Sequence, residues 1–199
     1  MARGSGMAVL ELLFVFFLVY LLQIVTAFAG IVAELFVLSA PVSENPWTVV
    51  TSIYAHNGPG HLLSNAVALV VFGWPVARAT TKVRFHLFVV ASGSIAGVTQ
   101  VLVSSAGGVL GASGAVFALL GYLLAGNRLS SSLARIVRLP TWASLLVFVA
   151  IAAVVTLATA SPGVALIAHF AGLLVGLLAG RLGLLDTGSS HQGTDPAHA

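Results

Sequence analysis

Residues 8–38 form an almost continuous apolar run, and this run limits the possible folds more strongly than any other feature. One membrane span needs only about 20 apolar residues, so the run holds a span and an apolar segment after it. Of the 199 residues, 59% are hydrophobic and 7% are charged, whereas ordinary soluble domains carry about 25% charged residues. The chain is therefore predicted to be a multi-pass integral protein of a lipid bilayer.

Apolar runs along the chain predict six transmembrane helices, and therefore an all-α bundle. We place the spans at residues 10–30, 59–77, 85–103, 111–127, 141–160 and 164–184. Residues 1–9 and 185–199 are predicted to lie outside this core, and the second of these ends is predicted to be polar and disordered. Residues 31–46 are predicted to form a loop at the membrane interface. Asn57 is predicted to cap the second span, with Pro59 in its first turn.

The basic residues indicate how the six spans are oriented. All eight fall on one face of the predicted bundle, at Arg3, Arg78, Lys82, Arg84, Arg128, Arg135, Arg138 and Arg181. The positive-inside rule then places both chain ends in the cytoplasm, in what we expect to be the cell membrane. Because these charges are explained by topology, nucleic acid is not expected as a partner. The absence of cysteine excludes a disulfide framework, a thiol nucleophile and a thiolate metal site.

Three polar clusters, far apart in sequence, are predicted to lie at one depth. In this topology the second, fourth and sixth spans all run from the outer to the inner face. His61 and Asn65 begin the second span, Ser113 begins the fourth, and His169 lies about one turn into the sixth. At 1.5 Å per residue, all four lie within about 10 Å of the outer boundary.

Ser113 and His169 form a candidate nucleophile and base. A hydroxyl needs a neighbouring base to attack a carbonyl near neutral pH, and imidazole titrates in that range. Glycines at 172, 176 and 180 give the sixth span a smooth ridge, and His169 lies on the same face. Taken singly, the serine and the histidine also fit ordinary helix packing, because either side chain can bond a neighbouring helix.

His61 and Asn65 stand four residues apart, so one helical face presents an imidazole and a carboxamide. Together with the backbone N–H of Ser113, they are candidate donors to an oxyanion, where one such donor contributes about 2.7–4 kcal/mol. Asn65 alone also fits a role in interhelical hydrogen bonding. None of the five carboxylates is expected beside His169, which favours a Ser-His dyad over a triad.

These residues resemble the rhomboid family of intramembrane serine proteases. The matching motifs, in order, are HNGPGHLLSN at 56–65, GASG at 111–114 and AHFAGLLVG at 168–176. The resemblance implies a six-span fold, Ser113 as nucleophile, His169 as general base, and an oxyanion hole formed by His61, Asn65 and the Ser113 N–H. It implies support from His56, Phe117, Gly111, Gly114 and Gly172. It also implies transmembrane helices of membrane proteins as substrates, cut near the outer face at small residues, without metal or cofactor.

Two positions depart from the family pattern. Phe117 stands where rhomboids often have a tyrosine packed on the catalytic histidine, so the ring face is kept and the hydroxyl is lost. Thr48 follows Trp47 where many members have arginine. We expect the ring stacking to survive the first change.

Three other functions fit the sequence less well than proteolysis does. A catalytically silent rhomboid-like protein could bind membrane clients, although silent relatives usually lack the serine or histidine kept here. His56, His61 and His169 could hold zinc, but no carboxylate is expected to support them. A small transporter is disfavoured because the sequence has no inverted repeat and no charged residue at mid-membrane.

Overall fold

The computed structural model describes residues 6–104, 107–126, 142–143, 146, 150 and 165–186. The described residues are helical and contain no strand, which confirms the all-α prediction. The helices are α1 (Met7–Ala27), α2 (Val32–Phe36), α3 (Thr48–Tyr54), α4 (Pro59–Ala79), α5 (Lys82–Val103), α6 (Ser113–Gly126) and α7 (Leu166–Arg181).

Three of these helices, α1, α4 and α5, are long and apolar enough to cross a membrane. Helices α6 and α7 are apolar but shorter. All five begin and end within three residues of predicted spans. The predicted fifth span, 141–160, lies almost entirely outside the described residues, as does the predicted tail beyond residue 186. The count of six spans therefore stays a prediction.

Helix α1 packs one stripe of side chains against the rest of the bundle. Val9, Leu12 and Phe16 are buried at helical spacing, and the polar Gln23 is buried further along the helix. The other faces expose large apolar side chains such as Phe14, which is 61% exposed. Such exposure is costly in water but matches a lipid environment, as expected for a membrane helix.

Helix α4 begins after a glycine and contains an irregular turn. Its N-cap is Gly58, in a left-handed conformation with φ of 87°, and no side chain caps the helix. The expectation that Asn57 caps this helix is therefore wrong, because Asn57 lies one residue too early. Pro59 occupies the first turn as predicted. Residues Leu69–Gly73 form a π-helical turn, which shifts the residues that follow around the helix axis.

The segment 31–46 is tied to the bundle at several points, and it contains the short helix α2 rather than only a loop. Trp47 Nε1 donates to the Glu34 carbonyl oxygen at 2.8 Å, and the Thr51 hydroxyl donates to the Leu35 carbonyl oxygen at 2.5 Å. Leu38 exchanges two backbone hydrogen bonds with Val109, of 3.0 and 2.8 Å. The segment is thus fixed against the loop that precedes α6.

Helices α6 and α7 meet backbone to backbone. A Cβ added to Gly172 would overlap the Gly114 carbonyl oxygen, and one added to Gly176 would overlap the Ala118 carbonyl oxygen. On the other helix, a Cβ at Gly121 would overlap the Leu173 carbonyl oxygen. Only glycine allows helices to approach this closely. The glycine spacing on α7 therefore sets how near the two helices come.

Candidate active site

A cavity of about 840 Å³ opens where α4, α6 and α7 begin. The side chains around it include His61, Asn65, Gln100, Ser113, Phe117 and His169. Four of these, His61, Asn65, Ser113 and His169, come from the three polar clusters of the sequence. The fold brings these clusters to one place.

Ser113 is the first residue of α6 and is partly buried. The first backbone N–H groups of any α-helix have no partners inside the helix, so the Ser113 amide is available to a ligand. Just before it, the Gly111 N–H donates to the Ser52 carbonyl oxygen at 2.8 Å, which fixes the entry of the chain into α6. The hydroxyl and the amide of Ser113 are thereby held at one edge of the cavity.

Gly111 is required for two reasons. Its φ is 123°, a conformation that other residues rarely adopt. A Cβ at Gly111 would also lie 2.6 Å from His61 Cε1 and 2.9 Å from His61 Nε2. The edge of the His61 ring therefore lies against the chain two residues before Ser113.

His169 is the fourth residue of α7 and is only 8% exposed. Its ring stacks on Phe117, with ring centres 4.1 Å apart and an angle of 17° between the planes, as expected despite the missing tyrosine hydroxyl. His169 Nδ1 is buried and has no hydrogen-bond partner among the described residues. The described residues also contain no hydrogen bond between the Ser113 hydroxyl and this ring. Such bonds are often long in free enzymes and shorten when substrate binds.

The hydrogen bonds of His61 determine its tautomer. The Asn57 backbone N–H donates to His61 Nδ1 at 3.2 Å, so Nδ1 carries a lone pair. In the neutral ring the proton then lies on Nε2, which makes Nε2 a donor. Asn65 Nδ2 donates to the His61 carbonyl oxygen at 3.0 Å and is held on the same face of α4.

His56 lies outside the membrane-spanning helices, between α3 and α4, and is 2% exposed. Burial, and to a smaller extent the nearby His61, lower the pKa of His56 to about 4, although the hydrogen bond to the Tyr54 carbonyl oxygen acts in the opposite direction. The ring is therefore neutral at pH 7, and its Nδ1 donates to the Tyr54 carbonyl oxygen at 3.1 Å. The His56 and His61 rings meet edge to face, with centres 5.3 Å apart. His56 thus packs behind His61; it is absent from the cavity lining.

The histidine metal site, which the sequence offers only as a disfavoured alternative, has no support in this geometry. Within residues 6–104, 107–126 and 165–186, no group of three or more His, Asp or Glu side chains is arranged to share a metal ion. His56 and His61 are in contact, but their hydrogen bonds run to the Tyr54 carbonyl oxygen and the Asn57 N–H. The Asn57 N–H occupies the lone pair of His61 Nδ1, so that nitrogen is not free for a metal.

A sequence model of the Rhomboid domain matches residues 43–185. The chain belongs to the rhomboid family. This rhomboid is also 36% identical over 78 residues to RHOMBOID-like protein 1 of Arabidopsis thaliana. That match covers 39% of the chain and 20% of the relative, so the chain spans about a fifth of that protein's length.

Two buried glutamines of this rhomboid were missed by the sequence analysis. Gln100, on α5, lines the cavity, and its Oε1 accepts a hydrogen bond from the Ala168 N–H at 3.0 Å. It thereby satisfies a free amide in the first turn of α7, one residue before His169. Gln23, on α1, accepts a hydrogen bond from the His56 N–H at 2.9 Å. The available signal was an isolated amide side chain inside an apolar run, where polar groups are costly.

Proposed function

We propose that this rhomboid chain is an intramembrane serine endopeptidase that cleaves transmembrane helices of membrane proteins. Ser113 is the nucleophile and His169 the general base. The observation that carries the proposal is that Ser113, His169, His61 and Asn65 line one cavity. Family membership supports it, since the matched domain includes all four residues.

The reaction follows the serine-protease pattern. The Ser113 oxygen attacks the scissile carbonyl carbon while His169 takes the hydroxyl proton. The tetrahedral oxyanion accepts hydrogen bonds from His61 Nε2, Asn65 Nδ2 and the Ser113 backbone N–H. The intermediate collapses, His169 gives the proton to the leaving amine, and an acyl ester remains on Ser113. Water, deprotonated by His169, then attacks the ester, and the new carboxyl product leaves as the serine is restored.

No carboxylate takes part in this scheme. The stacking of Phe117 on His169 supports orientation of the imidazole by packing instead. Helix α7 contributes through Gly172, which brings His169 towards the beginning of α6 where Ser113 lies. The dyad is therefore held by helix contact, without a third catalytic residue and without metal or cofactor.

The proposal includes a topology. Six spans over residues 10–184 form the catalytic core in the cell membrane, with residues 1–9 and 185–199 in the cytoplasm. The cavity then lies near the outer face, and substrates are cut there. Support comes from the basic residues Lys82, Arg84 and Arg181, which lie at the ends of helices away from the cavity.

The proposal is tested with purified full-length protein in liposomes and a synthetic transmembrane substrate that carries small residues near one membrane boundary. We expect the wild type to cleave it, and Ser113→Ala and His169→Ala each to lose at least about 1,000-fold in kcat. A fluorophosphonate probe should label the wild type and not Ser113→Ala. Binding of the substrate without cleavage or labelling would instead favour a silent, client-binding rhomboid.

The choice of base is tested separately. The same probe should label His169→Ala far more slowly than the wild type, because the serine loses its proton acceptor. The control is His86→Ala. His86 is another partly buried histidine, and its Nε2 lies 3.0 Å from Glu11 at the far end of the bundle. Equal labelling of wild type and His169→Ala would remove His169 from the mechanism.

A further inference from the structure

Gln23 is the buried polar side chain of α1, with 7% of its surface exposed. An apolar residue would be cheaper at this position in a membrane helix, so the amide needs a specific partner. That partner is the His56 backbone N–H, which donates to Gln23 Oε1 at 2.9 Å in a fully buried hydrogen bond. The two residues are 33 positions apart, so the bond joins separate parts of the fold.

The His56 amide depends on this partner because the chain is not helical there. Helix α3 ends at Tyr54, and Ala55 is extended, with φ of −87° and ψ of 153°. Gln23 therefore provides the acceptor that local secondary structure does not. Helix α1, which carries Gln23, also packs Phe16 against the His56 ring, with ring centres 4.9 Å apart. Helix α1 thus holds both the backbone and the side chain of His56.

The position of the His56 backbone influences the cavity through the next peptide unit. Asn57, directly after His56, donates its N–H to His61 Nδ1 at 3.2 Å. This donor sets the His61 tautomer and so keeps the proton on Nε2. A shift of the 56–57 backbone would move the donor and free the His61 ring to rotate or to change tautomer.

We propose that Gln23 is a positioning residue for the oxyanion hole, acting through the 56–57 backbone on His61. The inference rests on the proposed function, because it needs His61 to be a donor in the reaction. Gln23 does not line the cavity, so it acts on the transition state only through His61. Its loss should lower kcat and leave KM unchanged.

The test compares Gln23→Met with the wild type, using full-length protein in liposomes and the synthetic transmembrane substrate. Methionine matches the size of glutamine but lacks the acceptor. We expect kcat to fall about tenfold, the equivalent of one hydrogen bond, at an unchanged KM. Gln23→Glu keeps an acceptor oxygen at the same reach and should recover most of the rate. Thr26→Val is the matched control, because the Thr26 hydroxyl donates within its own helix, to the Leu22 and Gln23 carbonyl oxygens.

A double-mutant cycle distinguishes the proposed positioning role of Gln23 from a merely structural one. In a His61→Phe background, Gln23→Met should cause no further loss of kcat, because the donor it positions is gone. Should Gln23→Met reduce the folded yield, Gln23→Asn carries the same test, since its amide is one methylene shorter. An equal loss in both backgrounds, or a wild-type kcat in Gln23→Met, would overturn the inference. A wild type that neither cleaves nor labels would instead overturn the proposed function.

Discussion

Asn65 Nδ2 donates one hydrogen bond to the His61 carbonyl oxygen, 3.0 Å away, and this bond holds the carboxamide on α4. An amide nitrogen carries two hydrogens, so a second N–H is left for a ligand in the cavity that Asn65 lines. Asn65 is 5% exposed, so the protein shields most of its side chain from solvent. Electrostatic interactions are stronger in such surroundings than in bulk water.

Asn65→Ala should therefore lower kcat by about 100- to 1,000-fold with little change in KM, as for other side-chain oxyanion donors. Steady-state kinetics on the synthetic substrate measure both constants. Ser64→Ala is the matched control, since the Ser64 hydroxyl bonds the same His61 carbonyl oxygen at 3.0 Å. Equal losses in the two variants would assign the effect to that carbonyl and not to the oxyanion.

Single residues differ in how well the sequence reveals them. Ser113, His61 and Asn65 stand in motifs whose spacing is itself informative, so they could be selected before the fold was known. Gln23 and Gln100 stand out only as isolated amides in apolar runs, and their partners are hidden, because each accepts a hydrogen bond from a backbone amide, 33 and 68 positions away. Nothing in local spacing marks such a partner, since its place depends on how the helices pack.

At the scale of elements, the contact between α6 and α7 sets the separation of Ser113 and His169. It consists of glycine facing carbonyl oxygens, at Gly172 against Gly114 and at Gly176 against Ala118. A methyl group added there meets main chain, which cannot rotate away as a side chain can. Overpacking at such a site is relieved only by moving a helix.

Gly176→Ala should therefore reduce stability by about 1–3 kcal/mol. Unfolding of the purified protein in detergent, followed by tryptophan fluorescence, measures the change. Gly60→Ala makes the same chemical change in helix α4, where an added Cβ has nothing within 4 Å. That control should be neutral or slightly stabilising, because alanine favours helix more than glycine does. Matching losses in the two variants would refute a special role for the α6–α7 contact.

Long and short elements were not equally predictable. The helices α1, α4, α5, α6 and α7 follow from apolar runs, and their bounds agree with prediction to within three residues. The short helices α2 and α3 were missed, because five and seven residues are too few to show a helical period. The π-helical turn in α4, within which Leu69 and Gly73 are buried, was missed as well.

At the scale of the whole molecule, polar contacts tie the helices together at the end away from the cavity. Glu11 on α1 contacts Lys82 and His86 on α5, the latter at 3.0 Å. Beyond α7, the Asp186 carboxylate accepts a hydrogen bond from the Tyr122 hydroxyl at 2.7 Å. In the proposed topology this end faces the cytoplasm.

The topology is testable because the sequence has no cysteine, so a single introduced cysteine is a unique label site. Ser43→Cys, in the exposed part of the 31–46 segment, should react with a membrane-impermeant maleimide added to intact cells. Leu182→Cys, just after α7 and 71% exposed, should react only after the membrane is permeabilised. The reverse pattern would place the cavity near the cytoplasmic face and contradict cleavage at the outer side.

The backbone contact between Gly114 and Gly172 also bears on how the proposed protease could acquire new substrates. Main chain faces main chain at this contact, so no change of side chain can adjust the distance between the two helices in small steps. Substitutions that alter specificity and keep the fold are therefore expected around the rim of the cavity, in the 108–110 loop and at the exposed positions near Asn57. A mutant library designed to alter specificity would vary the residues of that rim and keep the glycines constant.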